Sequence, residues 1–169
     1  MIRVFIALVT ATIISATSAF SEERSNYSSD DYKCLAQNIY FEAKNQSRKG
    51  QMAVAYVTLN RVKSNDYPNT ICGVVKQAKV SQWHLKNTGK VVPIRHKCQF
   101  SWYCDGLSDT IRDEEAYKSA LEVAGYVMMM YPVNDLTFGS THYHAHYVNP
   151  SWSSSLLKIV TIEDHIFYK

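Results

Sequence analysis

The stretch from Asn38 to Val62, NIYFEAKNQSRKGQMAVAYVTLNRV, decides the fold, because two helical patterns meet inside it. Leading into it, Tyr32, Leu35, Ala36, Ile39, Tyr40 and Ala43 recur at intervals of three and four, the spacing that lines one face of a helix. Asp30 or Asp31 is the expected N-cap of that helix. From about Arg48 to Ser64 the apolar residues cover most of the helical circumference, which predicts a central, buried helix. Asn60 is the polar exception within it.

Outward from this pair the pattern changes character. NDYPN breaks the chain, TICGVVKQ predicts a short helix, and Lys79 to Lys97 read as a polar, irregular surface excursion. CQFSWYCDG is aromatic and expected to be extended or looped. Asp113 is placed to cap a long helix that opens with two acids and ends before Pro132. Strand-like runs follow over Phe138 to Val148, LLKIVTI and HIFY, the last two around a turn at Asp164. Helices first and strands last predict an α+β domain, mainly helical in its first half, with a small C-terminal antiparallel β-sheet.

With 169 residues, 46% hydrophobic and 20% charged, the chain is one globular domain in size. The net charge of +3, with Lys and Arg scattered, gives no footprint for nucleic acid and only a mild bias towards anionic surfaces. Met1 to Arg3, the apolar run Val4 to Ile14 and the small residues Thr17 and Ala19 have the form of a secretory signal cleaved near Ala19. The expected organisation is a signal peptide over 1–19, a flexible lead over 20–31 and one catalytic domain over 32–169. The expected product is exported, to the periplasm or the cell wall, with no stable membrane insertion. In such a compartment Cys34, Cys72, Cys98 and Cys104 should pair as two disulfides, and three connectivities are open.

Chemistry points first to Glu42. At about 100° per residue it falls at the margin of the first helix's apolar stripe, between core and cleft. Partial desolvation there favours the protonated carboxyl, as a general acid requires. Tyr40 and Phe41 adjoin it, and Gln46 at i+4 offers no ion-pair partner.

The motifs IYFEA, GQMAVAYVTLNRV, YPNTICGVV, CQFSW, GSTHYHAHYVNPSW and HIFYK, in that order, resemble the catalytic domain of the SleB/CwlJ cell-wall hydrolase family, over roughly Tyr32 to Lys169. The resemblance implies a lysozyme-like or lytic-transglycosylase-like fold acting on peptidoglycan glycan strands; the chain is expected to work without a cofactor and as a monomer. It puts Glu42 at the family's catalytic glutamate. It aligns Gln99, Phe100 and Ser101 with the QFS motif, and Thr141, Tyr143 and Trp152 with the T-x-Y…P-x-W motif, as expected cleft residues. Tyr40, Phe100, Tyr143 and Trp152 are the aromatic residues expected to stack on sugar rings. One departure is visible: Glu163-Asp164 stands where family members often have glycine, before the final H-x-F-Y.

Glycosidic cleavage ordinarily uses two carboxyl groups. Asp105 is the nearest second candidate, but aspartate before glycine is a turn signal. A single good glutamate favours anhydro-forming cleavage, in which the substrate's own 6-hydroxyl closes onto the anomeric carbon. The competing possibilities are a zinc amidase or peptidase built on His142, His144 and His146, and a non-catalytic wall-binding module. Three histidines spaced about 6.6 to 7 Å apart along one strand are too spread for a single ion, and no metal site is expected. On a regular strand they also face away from Thr141 and Tyr143.

Overall fold

The computed structural model describes residues 27–169; the expected signal peptide and most of the expected lead lie outside them. Five α-helices are described: α1 Ser29–Ala43, α2 Arg48–Lys63, α3 Ile71–Val75, α4 Gln82–Thr88 and α5 Glu114–Met130. Five strands accompany them: β1 Ala78–Val80, β2 Pro93–Cys98, β3 His142–Ala145, β4 Lys158–Ile162 and β5 His165–Tyr168. The fold class is α+β, as expected.

Helix α1 begins three residues earlier than its periodicity suggested, so Ser29 to Asp31 belong to the helix and not to the lead. The cap is Ser28, whose hydroxyl accepts from the Asp31 N–H at 3.0 Å. The Asp31 carboxylate accepts in return from the Ser28 N–H at 3.4 Å, completing a reciprocal capping box. Asp31 also accepts from the Cys72 N–H at 3.0 Å, which ties α1 to α3.

Helix α2 is buried on nearly every side and lies between α1, α3, α5 and the C-terminal sheet. Its polar exception has four partners. The Asn60 amide donates towards Asp135 Oδ2 at 3.0 Å, Thr137 Oγ1 at 3.1 Å and the Ser140 carbonyl at 3.0 Å. Its carbonyl accepts from the Tyr131 hydroxyl at 3.0 Å. The loop between α5 and β3 is thereby anchored on α2. At the other end, a Cβ on Gly50 would meet Gln46 Cβ at 2.8 Å, so only glycine lets the α1–α2 turn close this tightly.

Two expectations are corrected. Residues 79–97 are not irregular: β1 and β2 pair antiparallel around α4. The ladder satisfies backbone groups while its side chains stay mostly exposed, so hydrophobic periodicity carried no trace of it. The strand expected over 138–148 shrinks to His142–Ala145, because Phe138 (φ 52°) and Gly139 (φ 80°) take left-handed conformations. The Asp135 side chain stabilises that loop by accepting from the Thr137 and Gly139 N–H groups at 2.8 and 2.7 Å.

The C-terminal sheet has strand order β3-β5-β4, all antiparallel. One face, carrying Tyr143 and Phe167, packs on α2 through Ala53 and Val57. CQFSWYCDG forms a short 3-10 turn over Ser101–Cys104.

The four cysteines form two bridges, Cys34–Cys72 and Cys98–Cys104. They close loops of sequence separation 38 and 6. Loop-closure entropy then assigns about 4 kcal/mol to the first and about 2 kcal/mol to the second. Removing the first pair (Cys34→Ala with Cys72→Ala) should lower the denaturation midpoint clearly more than removing the second. Equal losses in urea melts would contradict this ranking.

Candidate active site

Glu42 sits on the last turn of α1, half-buried, with its carboxyl against β3. The Tyr143 hydroxyl donates to Glu42 Oε2 at 2.9 Å. Burial, foremost, raises the Glu42 pKa above the ordinary carboxylate range, while the Tyr143 bond and the positive charge of Arg61 pull against it. Burial, and then the Glu42 charge, hold the Tyr143 hydroxyl protonated well above its usual pKa, so it remains a donor. The raised pKa favours the acid form of Glu42, and the Tyr143 hydroxyl is a donor suited to its carboxylate form.

Arg61, on the last turn of α2, is buried at 4% exposure. Its Nε donates to the Thr141 carbonyl at 2.7 Å, and its guanidinium lies over the rings of Phe100 and Tyr67 at 5.0 and 5.5 Å. Nη1 is buried without a hydrogen-bond partner among the described residues. No carboxylate lies within ion-pairing distance of this charge among the described residues, and Glu42 is the carboxylate whose field acts on it. A buried cation near a half-buried acid favours the ionised form of that acid.

A cleft of about 200 Å³ opens beside Glu42, lined by Gln46, Ala145, Tyr147, Asp164 and His165 among others. The hairpin turn between β4 and β5 forms one wall. Glu163, the first of its two turn residues, takes φ 52°, a left-handed conformation that favours glycine. Its side chain compensates by accepting from the Ser47 hydroxyl at 2.8 Å, while Asp164 accepts from the Gln46 amide at 3.0 Å. The departure from glycine noted in the sequence thus fastens the hairpin to the α1–α2 loop. His165 is buried and lies edge-on to Tyr143, 5.2 Å between ring centres. Burial lowers its pKa below the usual histidine value.

The other expected site residues divide. Tyr40 is buried at 2% exposure, its hydroxyl accepting from the Arg112 and Asp113 N–H groups at 3.3 and 3.2 Å, so it has no free face for a sugar. Phe100, equally buried, supports Arg61 instead of lining the cleft. Both belong to the core. Gln99 is half-buried with its N–H on the Gln77 carbonyl, and Ser101 is exposed at the start of the 3-10 turn. Neither lines the cleft at Glu42. Thr141 and Trp152 lie with the histidines: Thr141 Oγ1 meets His142 Nδ1 at 2.9 Å, and Trp152 packs at 5.5 Å on His142 and on His144.

Strand β3 is regular, so His142 and His144 face away from Tyr143, as its alternation requires. Their ring nitrogens are engaged. His142 Nε2 lies 3.4 Å from the Tyr67 hydroxyl; His144 Nδ1 and Nε2 lie 2.9 Å from the Ala145 carbonyl and 2.8 Å from the Tyr168 hydroxyl. His146 lies past the strand's end, against Asp164. Among the described residues no three His, Cys, Asp or Glu side chains converge as metal ligands, so the zinc alternative lacks its ligand set. Asp105 accepts from the Leu107 N–H at 2.7 Å and is a turn residue; the second acid at the cleft, beside Glu42, is Asp164. Sequence reading missed Asp164 and Tyr147 at this cleft, since only the folded C-terminal sheet brings them to Glu42.

The fold is shared with solved structures. The catalytic domain of the Bacillus cereus SleB protein superposes with a TM-score of 0.59 at 27% identity, covering 86% of this chain and 94% of that one. The catalytic domain of the germination-specific lytic transglycosylase SleB from Bacillus anthracis gives a TM-score of 0.60 at 27% identity, covering 86% and 98%. The fold is therefore that of a SleB-type catalytic domain. Residues 45–168 match the Cell Wall Hydrolase family, and the chain belongs to it. The spore cortex-lytic enzyme of Bacillus subtilis is 43% identical over 49 residues, 29% of this chain. That of Bacillus cereus is 45% identical over the same length. The matched segments span only 16% and 19% of those two proteins.

Proposed function

We propose that the chain cleaves the peptidoglycan glycan strand between N-acetylmuramic acid and N-acetylglucosamine, as a lytic transglycosylase with Glu42 as sole acid and base. The observation that carries this is the half-buried Glu42 carboxyl, its pKa raised by burial, bonded to Tyr143 at 2.9 Å beside an open cleft. Membership of the cell wall hydrolase family supports the substrate class. Protonated Glu42 gives its proton to the bridging oxygen as the bond to the muramic anomeric carbon breaks. The resulting carboxylate is held by the Tyr143 hydroxyl and the field of Arg61. It then takes the proton of the muramic 6-hydroxyl as that oxygen bonds to the anomeric carbon. No water is consumed, and Glu42 returns to its acid form. In this scheme Tyr147, exposed at the cleft, offers an aromatic face to a sugar ring. The protein works as an exported monomer on the wall.

Asp164 supports a second route, in which it activates a water for hydrolysis, because it lines the same cleft. Mass analysis of digested sacculi separates the two. The transglycosylase route gives 1,6-anhydro-muramic ends and survives Asp164→Asn with a modest loss. Reducing muramic ends, together with loss of activity in Asp164→Asn, would replace it with the two-carboxylate route.

A pH profile tests the tuning of Glu42. Its acid form is required, so kcat/KM should fall as pH rises through its raised pKa, above the ordinary carboxylate range. Tyr143→Phe removes a bond that favours the carboxylate. The alkaline limb should then move to higher pH while the maximal rate drops by roughly one to two decades. An unmoved limb would show that Glu42 does not set it.

A further inference from the structure

The charge of the chain is unevenly held. Residues 76–98 carry Lys76, Lys79, Lys86, Lys90, Arg95 and Lys97 without one Asp or Glu, although the whole chain is only +3. The expectation of scattered cations fails for this segment. All six are exposed, and among the described residues none lies within 4.0 Å of a carboxylate. Their mutual repulsion is unrelieved within the fold, and an anionic partner would relieve it.

The same segment exposes apolar side chains. Trp83 is 64% and Val91 72% exposed, and Leu85 and Ile94 also face solvent. Helix α4 buries no residue, and β1 and β2 pair only with each other. The unit is an arm, tethered where it rejoins the domain by the Cys98–Cys104 bridge and by Arg95 Nε donating to the Asp105 carbonyl at 2.8 Å. None of its residues lines the cleft at Glu42.

We propose that the β1–α4–β2 arm docks the protein on the surface of an anionic phospholipid bilayer. The cations are drawn to the headgroups, while Trp83 and the aliphatic side chains enter the interface beneath them. A carboxylate-bearing wall glycopeptide would satisfy the cations equally but would leave Leu85, Val91 and Ile94 in water. The combination of basic and aliphatic exposure therefore selects the bilayer. The inference is independent of the glycan chemistry proposed for Glu42.

Co-sedimentation of the purified protein decides it, with equimolar phosphatidylglycerol–phosphatidylcholine vesicles, phosphatidylcholine vesicles and isolated sacculi. Binding is expected to the anionic vesicles and not to phosphatidylcholine alone. The double variant Lys86→Glu/Lys90→Glu should weaken it by about tenfold or more, and Trp83→Ser/Val91→Ser should also weaken it. Both variants should release glycan fragments from sacculi at the wild-type rate. The proposal is overturned if wild-type protein ignores the anionic vesicles, or if both variants bind them undiminished. It is equally overturned if the charge variant loses sacculi while vesicles are never bound, since the arm would then serve the wall polymer.

Discussion

Glu42→Gln is expected to lower glycan cleavage by about 10²- to 10⁴-fold, the usual contribution of a positioned acid–base group, without loss of folding. Glutamine keeps the shape of the side chain and an oxygen to accept from the Tyr143 hydroxyl, which sits 2.9 Å from the carboxylate. It lacks the transferable proton. The same substitution bears on stability. Because the folded state raises the Glu42 pKa, it binds that proton more tightly than the unfolded chain does. Stability therefore falls as pH rises from the ordinary carboxylate range through the raised value, and above it the ionised carboxylate is a standing cost. At and above that pH the Gln variant should melt no lower than the wild type. Sacculus-binding and thermal melts, run beside the rate assay, complete the test. A variant retaining full activity would falsify the proposed mechanism.

Asn60→Leu is expected to cost about 3 to 4 kcal/mol of stability, because it leaves several buried polar groups without partners. The Tyr131 hydroxyl loses its acceptor at 3.0 Å, and the Ser140 carbonyl and Asp135 lose the amide donor. The damage reaches the site through the chain. Ser140 leads into Thr141, whose carbonyl holds Arg61, and then into Tyr143, which holds Glu42. Activity should therefore fall even at temperatures where the variant is folded. Chemical denaturation measures the first effect, and turnover well below the midpoint measures the second. A loss under about 1 kcal/mol would mean that water replaces the amide and that the anchor is dispensable.

Helices α1, α2 and α5 were legible because each carries its own signal. The spacing of Leu35, Ile39 and Tyr40 predicts α1, the all-round apolar surface predicts α2, and Asp113 marks the start of α5, its side chain accepting from the Ala116 N–H at 3.0 Å. The start of α1 was misjudged by its acids: Asp31 takes part in the cap, but as the partner of Ser28. The arm over 78–98 was illegible because its hairpin buries almost nothing, and hydrophobic pattern records only burial.

For the candidate site, the sequence by itself determined where Glu42 stands on its helix, since turning through a fixed angle leaves that carboxyl at the edge of an apolar stripe. It also determined that the histidines of β3 and Tyr143 face opposite ways, because strand alternation is a local property. Only the tertiary structure decided which of those two faces meets Glu42, because that depends on how the sheet packs on Ala53 and Val57 of α2. That packing also carried Asp164 and His165 to the cleft over more than a hundred residues of chain, while packing elsewhere in the tertiary fold put Tyr40 and Phe100 in the core and chose the cysteine partners. Periodicity fixes what a segment presents, whereas the neighbour it presents to is fixed by long-range packing.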